Sequence, residues 1–121
     1  MSSCLIADDS KVIRLLLSKI MSNLGFSIIE AEDGEDVVEL TQIKEPDLII
    51  MDWNLPLLEG IDALYKIRAM KLNKAPKIIF CSSISDIDRL QTAIDGGADD
   101  YIIKPFDEDI VSTKLTILGL L

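Results

Sequence analysis

Three aspartates, a serine and a lysine stand at the ends of four separate apolar runs. Ser3–Ala7 leads into Asp8 and Asp9, Leu48–Met51 into Asp52, Lys77–Cys81 into Ser82 and Ser83, and Tyr101–Ile103 into Lys104 and Pro105. If these runs are parallel strands of one sheet, their carboxyl ends lie side by side, where open α/β sheets bind ligands. Three carboxylates, a hydroxyl and an ammonium then share one crevice. Crowded carboxylates repel, and a hard divalent cation with oxygen ligands removes that conflict. Magnesium suits the set best. It accepts one or two carboxylates, keeps waters and adds a phosphate oxygen, whereas calcium usually takes more ligands and no EF-hand loop is present. The cluster therefore points to a divalent cation and a phosphoryl group.

Within that cluster Asp52 is the natural nucleophile, because a carboxylate can accept a phosphoryl group covalently. Lys104 offers a point charge for phosphoryl oxygens, and Ser82 a hydroxyl donor. Each residue also has a plainer reading. Asp8 and Asp9 open a helix, where acids favour the dipole. Lys104 is a solubilising strand end, and Ser82 and Ser83 are turn formers in a loop. Tyr101 is core or edge packing, and Trp53 is partly exposed beside Asp52. The base rate for X–Pro bonds favours a trans Lys104–Pro105 peptide.

The 121 residues fit one domain, with 49% hydrophobic residues to fill a core. The net charge of −9 repels nucleic-acid phosphates and anionic membrane surfaces, so neither is an expected partner. Glu30, Glu32, Asp33, Glu35 and Asp36 read as a solvated helix start. With no histidine, His-based triads and common zinc sites are excluded. Cys4 and Cys81 fall inside apolar runs and read as small core residues of a reducing cytoplasm, the expected location. No leader or transmembrane run is visible.

Short apolar runs alternate with periodic segments along the chain. Strands are expected at Cys4–Ala7, Ser27–Ala31, Leu48–Met51, Ile78–Cys81 and Asp100–Ile103. Helix one spans Lys11 to about Asn23, capped by Ser10 and ended by Gly25, with an apolar face of Val12, Ile13, Leu16, Leu17, Ile20 and Leu24. Helix two is Asp36–Lys44, with Val37, Leu40, Thr41 and Ile43, and stops before Pro46. Helix three is Ile61–Met70, helix four Asp86–Asp95, and helix five Asp107 to about Leu118 with Asp107 as cap. The alternation argues for a parallel sheet with helices on both faces, a doubly wound α/β three-layer sandwich of five βα units.

These residues resemble the receiver domains of two-component response regulators, most closely the single-domain chemotaxis type. The matching segments are Asp8-Asp9, Met51-Asp52-Trp53-Asn54-Leu55-Pro56, Ser82, Gly97-Ala98-Asp99-Asp100-Tyr101 and Lys104-Pro105-Phe106, and the likeness spans essentially residues 1–121. The resemblance implies a flavodoxin-like strand order 2-1-3-4-5, an order for which the chemotaxis member of this family is a standing example. It also implies that Asp52 accepts a phosphoryl group from a partner histidine kinase or phosphotransfer protein. Mg2+ would be held by Asp9, Asp52 and the backbone carbonyl of Asn54, with Asp8 acting mainly through water. Lys104 would neutralise the phosphoryl group and Ser82 would bond to it. Ser82 and Tyr101 would then act as the switch pair, changing the face formed by helix four, strand five and helix five, on which a downstream target protein docks. The expected protein is thus not an enzyme with a separate substrate but a receiver that phosphorylates and dephosphorylates itself at Asp52, with no output domain.

Some features depart from that pattern. Ser83 stands where the family most often has alanine, and Ile84 is apolar at a variable position, where it would screen the phosphoryl group from water. Helix five ends in Leu115, Ile117, Leu118, Leu120 and Leu121, either core packing or a partner contact. Only Arg89 and Lys114 are available as basic partners for pairing through this face, so a monomer is favoured over a homodimer. Competing functions are a phosphate shuttle or sink, an aspartate-based phosphohydrolase and a mononucleotide carrier. Asn54 stands where the hydrolase pattern needs a second acid, and Asp8-Asp9 would repel a nucleotide phosphate.

Overall fold

The computed structural model describes residues 2–121. Strands β1 (Ser3–Ala7), β2 (Ser27–Ala31), β3 (Leu48–Met51), β4 (Lys77–Ser83) and β5 (Asp100–Lys104) alternate with helices α1 (Lys11–Asn23), α2 (Gly34–Lys44), α3 (Gly60–Arg68), α4 (Leu90–Asp95) and α5 (Glu108–Ile117). All strand pairs are parallel, in the order β2-β1-β3-β4-β5. The expected fold and strand order are therefore present.

The continuous apolar runs follow from burial on both faces. Successive side chains of a strand point to opposite sides, and the two cores sort accordingly. Leu5, Ala7, Ile49, Met51, Ile78 and Phe80 face Val37 of α2, Ala63, Leu64 and Ile67 of α3, and Ala93 of α4. Cys4, Ile6, Leu48, Ile50, Ile79, Cys81 and Ile102 face Leu17, Ile20 and Met21 of α1 and Val111 and Leu115 of α5. Both cysteines are free, and burial pushes the Cys81 thiol up to about 12 and raises Cys4 as well. Among the described residues no helix is long and apolar enough to cross a membrane.

Several boundaries differ from the expectation, each for a local reason. Helix α2 starts at Gly34 rather than Asp36, because the Asp33 side chain accepts the Asp36 N–H at 2.8 Å and caps the helix earlier. Helix α3 covers Gly60–Arg68 rather than Ile61–Met70. Strand β4 continues through Ser82 and Ser83, which pair with Ile103 and Lys104, so the two serines are strand residues and not a loop. The expected single helix over Asp86–Asp95 is instead a 3-10 turn at Ile84–Arg89 followed by a short α4. On α1 the buried stripe is Leu17, Ile20 and Met21 with Ile13 beside it, while Val12 and Leu16 point outward. Ile43 of α2 is also exposed. At the end of the chain Leu115, Leu118 and Leu120 join the core, and Ile117 and Leu121 are exposed.

The acidic run is not simply a solvated helix start. Glu35 and Asp36 do lie in the first turn of α2, but Glu30 and Glu32 each sit 3.4 Å from the largely buried Arg14 of α1. At the opposite end of the sheet Asp47 ties three strands together. Its Oδ2 accepts the Ser3 N–H at 2.8 Å, its own N–H donates to Ser3 C=O, and its carbonyl accepts from Lys77.

The Ser3 backbone bond, reinforced by Lys74 and opposed by burial, holds the Asp47 carboxyl below its ordinary range. A depressed folded pKa stabilises the protein above the unfolded value of about 3.9 and is lost as pH falls through the lower folded value. Asp47→Ala is expected to cost about 1.5 kcal/mol at neutral pH. In urea unfolding the gap to wild type should narrow below about pH 3.

Candidate functional site

Parallel pairing fixes the neighbours in the crevice. Ala7 is opposite Met51, and the Asp52 N–H donates to the Ala7 carbonyl at 3.0 Å. Asp8 and Asp52 thus leave adjacent strands together. Asp8 is 1% exposed and Asp52 9%, while Asp9 opens to solvent. Carboxylate oxygens of all three lie within 4.8 Å of one another.

Lys104 comes from β5, beyond the intervening β4. Its Nζ donates to Asp8 Oδ2 at 2.7 Å and to Asp52 Oδ2 at 3.1 Å. Burial lowers the lysine pKa, but the Asp8 hydrogen bond and the charge of Asp52 outweigh it, and the ammonium is held above the ordinary lysine range. The other Asp52 oxygen, Oδ1, accepts from Ser82 Oγ at 3.3 Å and from the Asn54 N–H at 3.2 Å. Ser82 is buried, and its Oγ also accepts the Trp53 N–H. The two oxygens of Asp52 are therefore differentiated, one on the ammonium and one on the hydroxyl and an amide.

The acid loop has its own supports. Ser10 caps α1 by accepting the Ile13 N–H, and its own N–H donates to Asp8 Oδ1 at 2.9 Å. Arg14, one turn into α1, donates to the Asp8 backbone carbonyl. Behind Asp52, α3 begins so close that a Cβ on Gly60 would lie 2.5 Å from the Asp52 carbonyl oxygen. Only glycine fits that approach.

The structure brings Asp8, Asp9, Asp52, Ser82 and Lys104 together, with Asn54 next to them. Tyr101 is elsewhere. It lies opposite Phe80 in the β4–β5 pair, half-buried against the core, with the Lys114 ammonium 4.5 Å from its ring centroid. Trp53 is not partly exposed but 7% exposed, covered by the Phe80 ring at 5.5 Å and the Arg89 guanidinium at 5.6 Å. The Lys104–Pro105 peptide is cis, against the base-rate expectation.

Three contributors were not singled out from sequence as site residues: Arg14, Asp86 and, in this role, Arg89. Arg14 had a signal, an arginine set between Val12-Ile13 and Leu15-Leu16-Leu17 in helix one. Asp86 had none, since an acid in a short helix start is usually solvated. The donor set is all oxygen, with three carboxylates converging, and it fits Mg2+ by hardness and size of set.

Comparison with known proteins places these residues in context. Residues 4–116 match the response regulator receiver domain family. Chemotaxis protein CheY of Bacillus subtilis is 37% identical over 108 residues, covering 88% of each chain. Transcriptional regulatory protein PdtaR of Mycobacterium tuberculosis is 40% identical over 103 residues, 84% of this chain, and this chain spans only 49% of it. Among solved structures, the receiver domain of a sensor histidine kinase from Pseudomonas aeruginosa PAO1 superposes with a TM-score of 0.86. It is 25% identical, with 96% of this chain and 95% of that one covered, and has a magnesium ion coordinated in its active site cleft.

Removing the ammonium should expose the repulsion between Asp8 and Asp52. Lys104→Met is expected to lower stability by about 2 kcal/mol in urea unfolding with EDTA present, less than for a fully buried pair because the lysine is partly solvated. Adding Asp8→Asn to that variant should recover about 1 kcal/mol, a coupling of the size seen between residues in contact. No recovery would mean the two carboxylates do not oppose each other.

Proposed function

This chain belongs to the response regulator receiver domains, and on that premise we propose that residues 1–121 form one receiver module that works as a phosphorylation-activated switch with Asp52 as acceptor. The phosphodonor is a phosphohistidine on a histidine kinase or phosphotransfer protein. An Asp52 carboxylate oxygen attacks phosphorus, the O–P bond forms, the N–P bond breaks, and its electron pair stays on the imidazole nitrogen. Water later cleaves the acyl phosphate and restores the carboxylate.

The observation that supports this best is the split surroundings of Asp52: an ammonium at one oxygen, a hydroxyl and an amide at the other. A phosphoryl group on Asp52 would find its charge met by Lys104 and a donor waiting in Ser82. Phosphoryl transfer needs little more than positioning and charge compensation. Asp9, Asp52 and the backbone carbonyl of Asn54 are the residues that would hold Mg2+. Asp8 already spends its oxygens on Lys104 and the Ser10 N–H, which fits a role through water. Bound there, the cation would supply charge neutralisation on the phosphoryl oxygens.

Ser82 also links the site to the far face. It sits on β4 opposite Ile103, so drawing its hydroxyl toward a phosphoryl group pulls on the strand that pairs with Tyr101 and Lys104. That is a local charge event biasing a packed element. Helix α4, strand β5 and helix α5, where Lys114 bridges Tyr101 and Asp100, form the surface we assign to a downstream protein.

Acetyl phosphate with MgCl2 should add one phosphoryl group to the wild type, read by intact mass, and none to Asp52→Asn. Equal labelling of both would refute the acceptor assignment. Lys104→Met should slow labelling by about 100-fold or more, the scale for losing one group that meets transition-state charge.

A further inference from the structure

The segment after β4 closes on the acceptor loop through a carboxylate that the proposed chemistry does not use. Asp86 lies in the 3-10 turn Ile84–Arg89 and is 8% exposed. A carboxylate buried that far costs free energy unless it is paired. Asn54 is one of its partners and is also bonded by a second, Arg89. Asp86 Oδ2 accepts from Asn54 Nδ2 at 3.2 Å and from Ser83 Oγ at 3.2 Å. Arg89 Nη1 lies 3.7 Å from Asp86 Oδ1 and donates to Asn54 Oδ1 at 3.4 Å. The same guanidinium covers the Trp53 ring. Asn54 is thus gripped at both ends of its side-chain amide, while its backbone N–H binds Asp52 Oδ1.

We infer that Asp86, with Arg89, is a positioning residue that fixes the peptide plane of Asn54 and so raises the affinity of the acceptor loop for a divalent cation. The inference rests on the reading that the Asn54 carbonyl and the neighbouring aspartates hold Mg2+. Groups that orient ligands typically change metal affinity by about 10–100-fold when removed. Two side chains of opposite charge act through one asparagine, and that separates positioning from simple electrostatics. Deleting a negative charge near a cation weakens binding on either account. Deleting the positive charge of Arg89 strengthens binding by Coulomb attraction alone, and weakens it if Asn54 must be held.

Isothermal titration of the full chain with MgCl2 tests this. Asp86→Ala is expected to weaken binding about tenfold, and Arg89→Met to weaken it by a smaller factor. Asp86→Asn, which still offers an oxygen to the Asn54 amide, should recover most of the affinity. Asp88→Ala removes the same charge from an exposed neighbour and should stay within about twofold of wild type, as screened surface charges do. A second readout needs no metal: in EDTA, the Trp53 and Asn54 amides should exchange with solvent faster in Asp86→Ala than in wild type. Tighter binding by Arg89→Met, an Asp88→Ala loss equal to that of Asp86→Ala, or unchanged amide exchange would each overturn the inference. Absence of saturable Mg2+ binding by the wild type would instead sink the metal-site reading beneath it.

Discussion

Two neighbouring parallel strands that each lead directly into an aspartate bring like charges together, and the Lys104 ammonium offsets the conflict. β1 and β3 are hydrogen-bonded in register up to Ala7 and Met51, and the Asp52 N–H is bonded to the Ala7 carbonyl, so the backbones of Asp8 and Asp52 are held side by side. The lysine reaches them from β5, three places from β1 and two from β3, at 2.7 Å to Asp8 and 3.1 Å to Asp52. A buried pair of this kind is weak evidence for stability, since desolvation offsets much of the attraction. On the proposed function, the arrangement leaves charge to be rebalanced when a phosphoryl group or a cation enters. Arg14 on the Asp8 carbonyl, Ser10 on its side chain and Ser82 on Asp52 hold the acids in that arrangement.

The sheet explains why the geometry is dependable. Every side chain of β3 is fully buried, and its two faces are covered by different helix layers. A one-residue slip would send each of its side chains into the opposite core, against the wrong helices. The acids, the hydroxyl and the ammonium are thus carried on strand ends whose register the cores specify, while the Ile84–Arg89 turn is tied down by side-chain hydrogen bonds rather than by a buried apolar stripe. Precision at the centre and adjustable contacts at the rim follow from those two kinds of support.

Much of this was legible in the chain. Continuous apolar runs as short as Leu48–Met51, alternating with helical periodicity, read as strands buried on both faces, and the polar residue after each run marks the crevice. Ser10 and Asp107 were readable as caps because their side chains serve the N–H three residues on. What was not legible depends on contacts distant in sequence. Strand β4 extends through Ser82 and Ser83 because β5 pairs with them, which no local propensity encodes. Trp53 is buried because Arg89, from another segment, lies over its ring. The 3-10 turn replaces a helical turn where Asp86 faces inward to Asn54 and Ser83, a choice of side-chain partners invisible to periodicity.

The wedge of α3 against the acceptor has a mechanical consequence. With Gly60 seated on the Asp52 carbonyl and its N–H bonded to the Trp53 carbonyl at 2.9 Å, the backbone under the acid rests on an anvil. A side chain at position 60 would have to displace that carbonyl, so the footing of the acid depends on the absence of a single carbon atom.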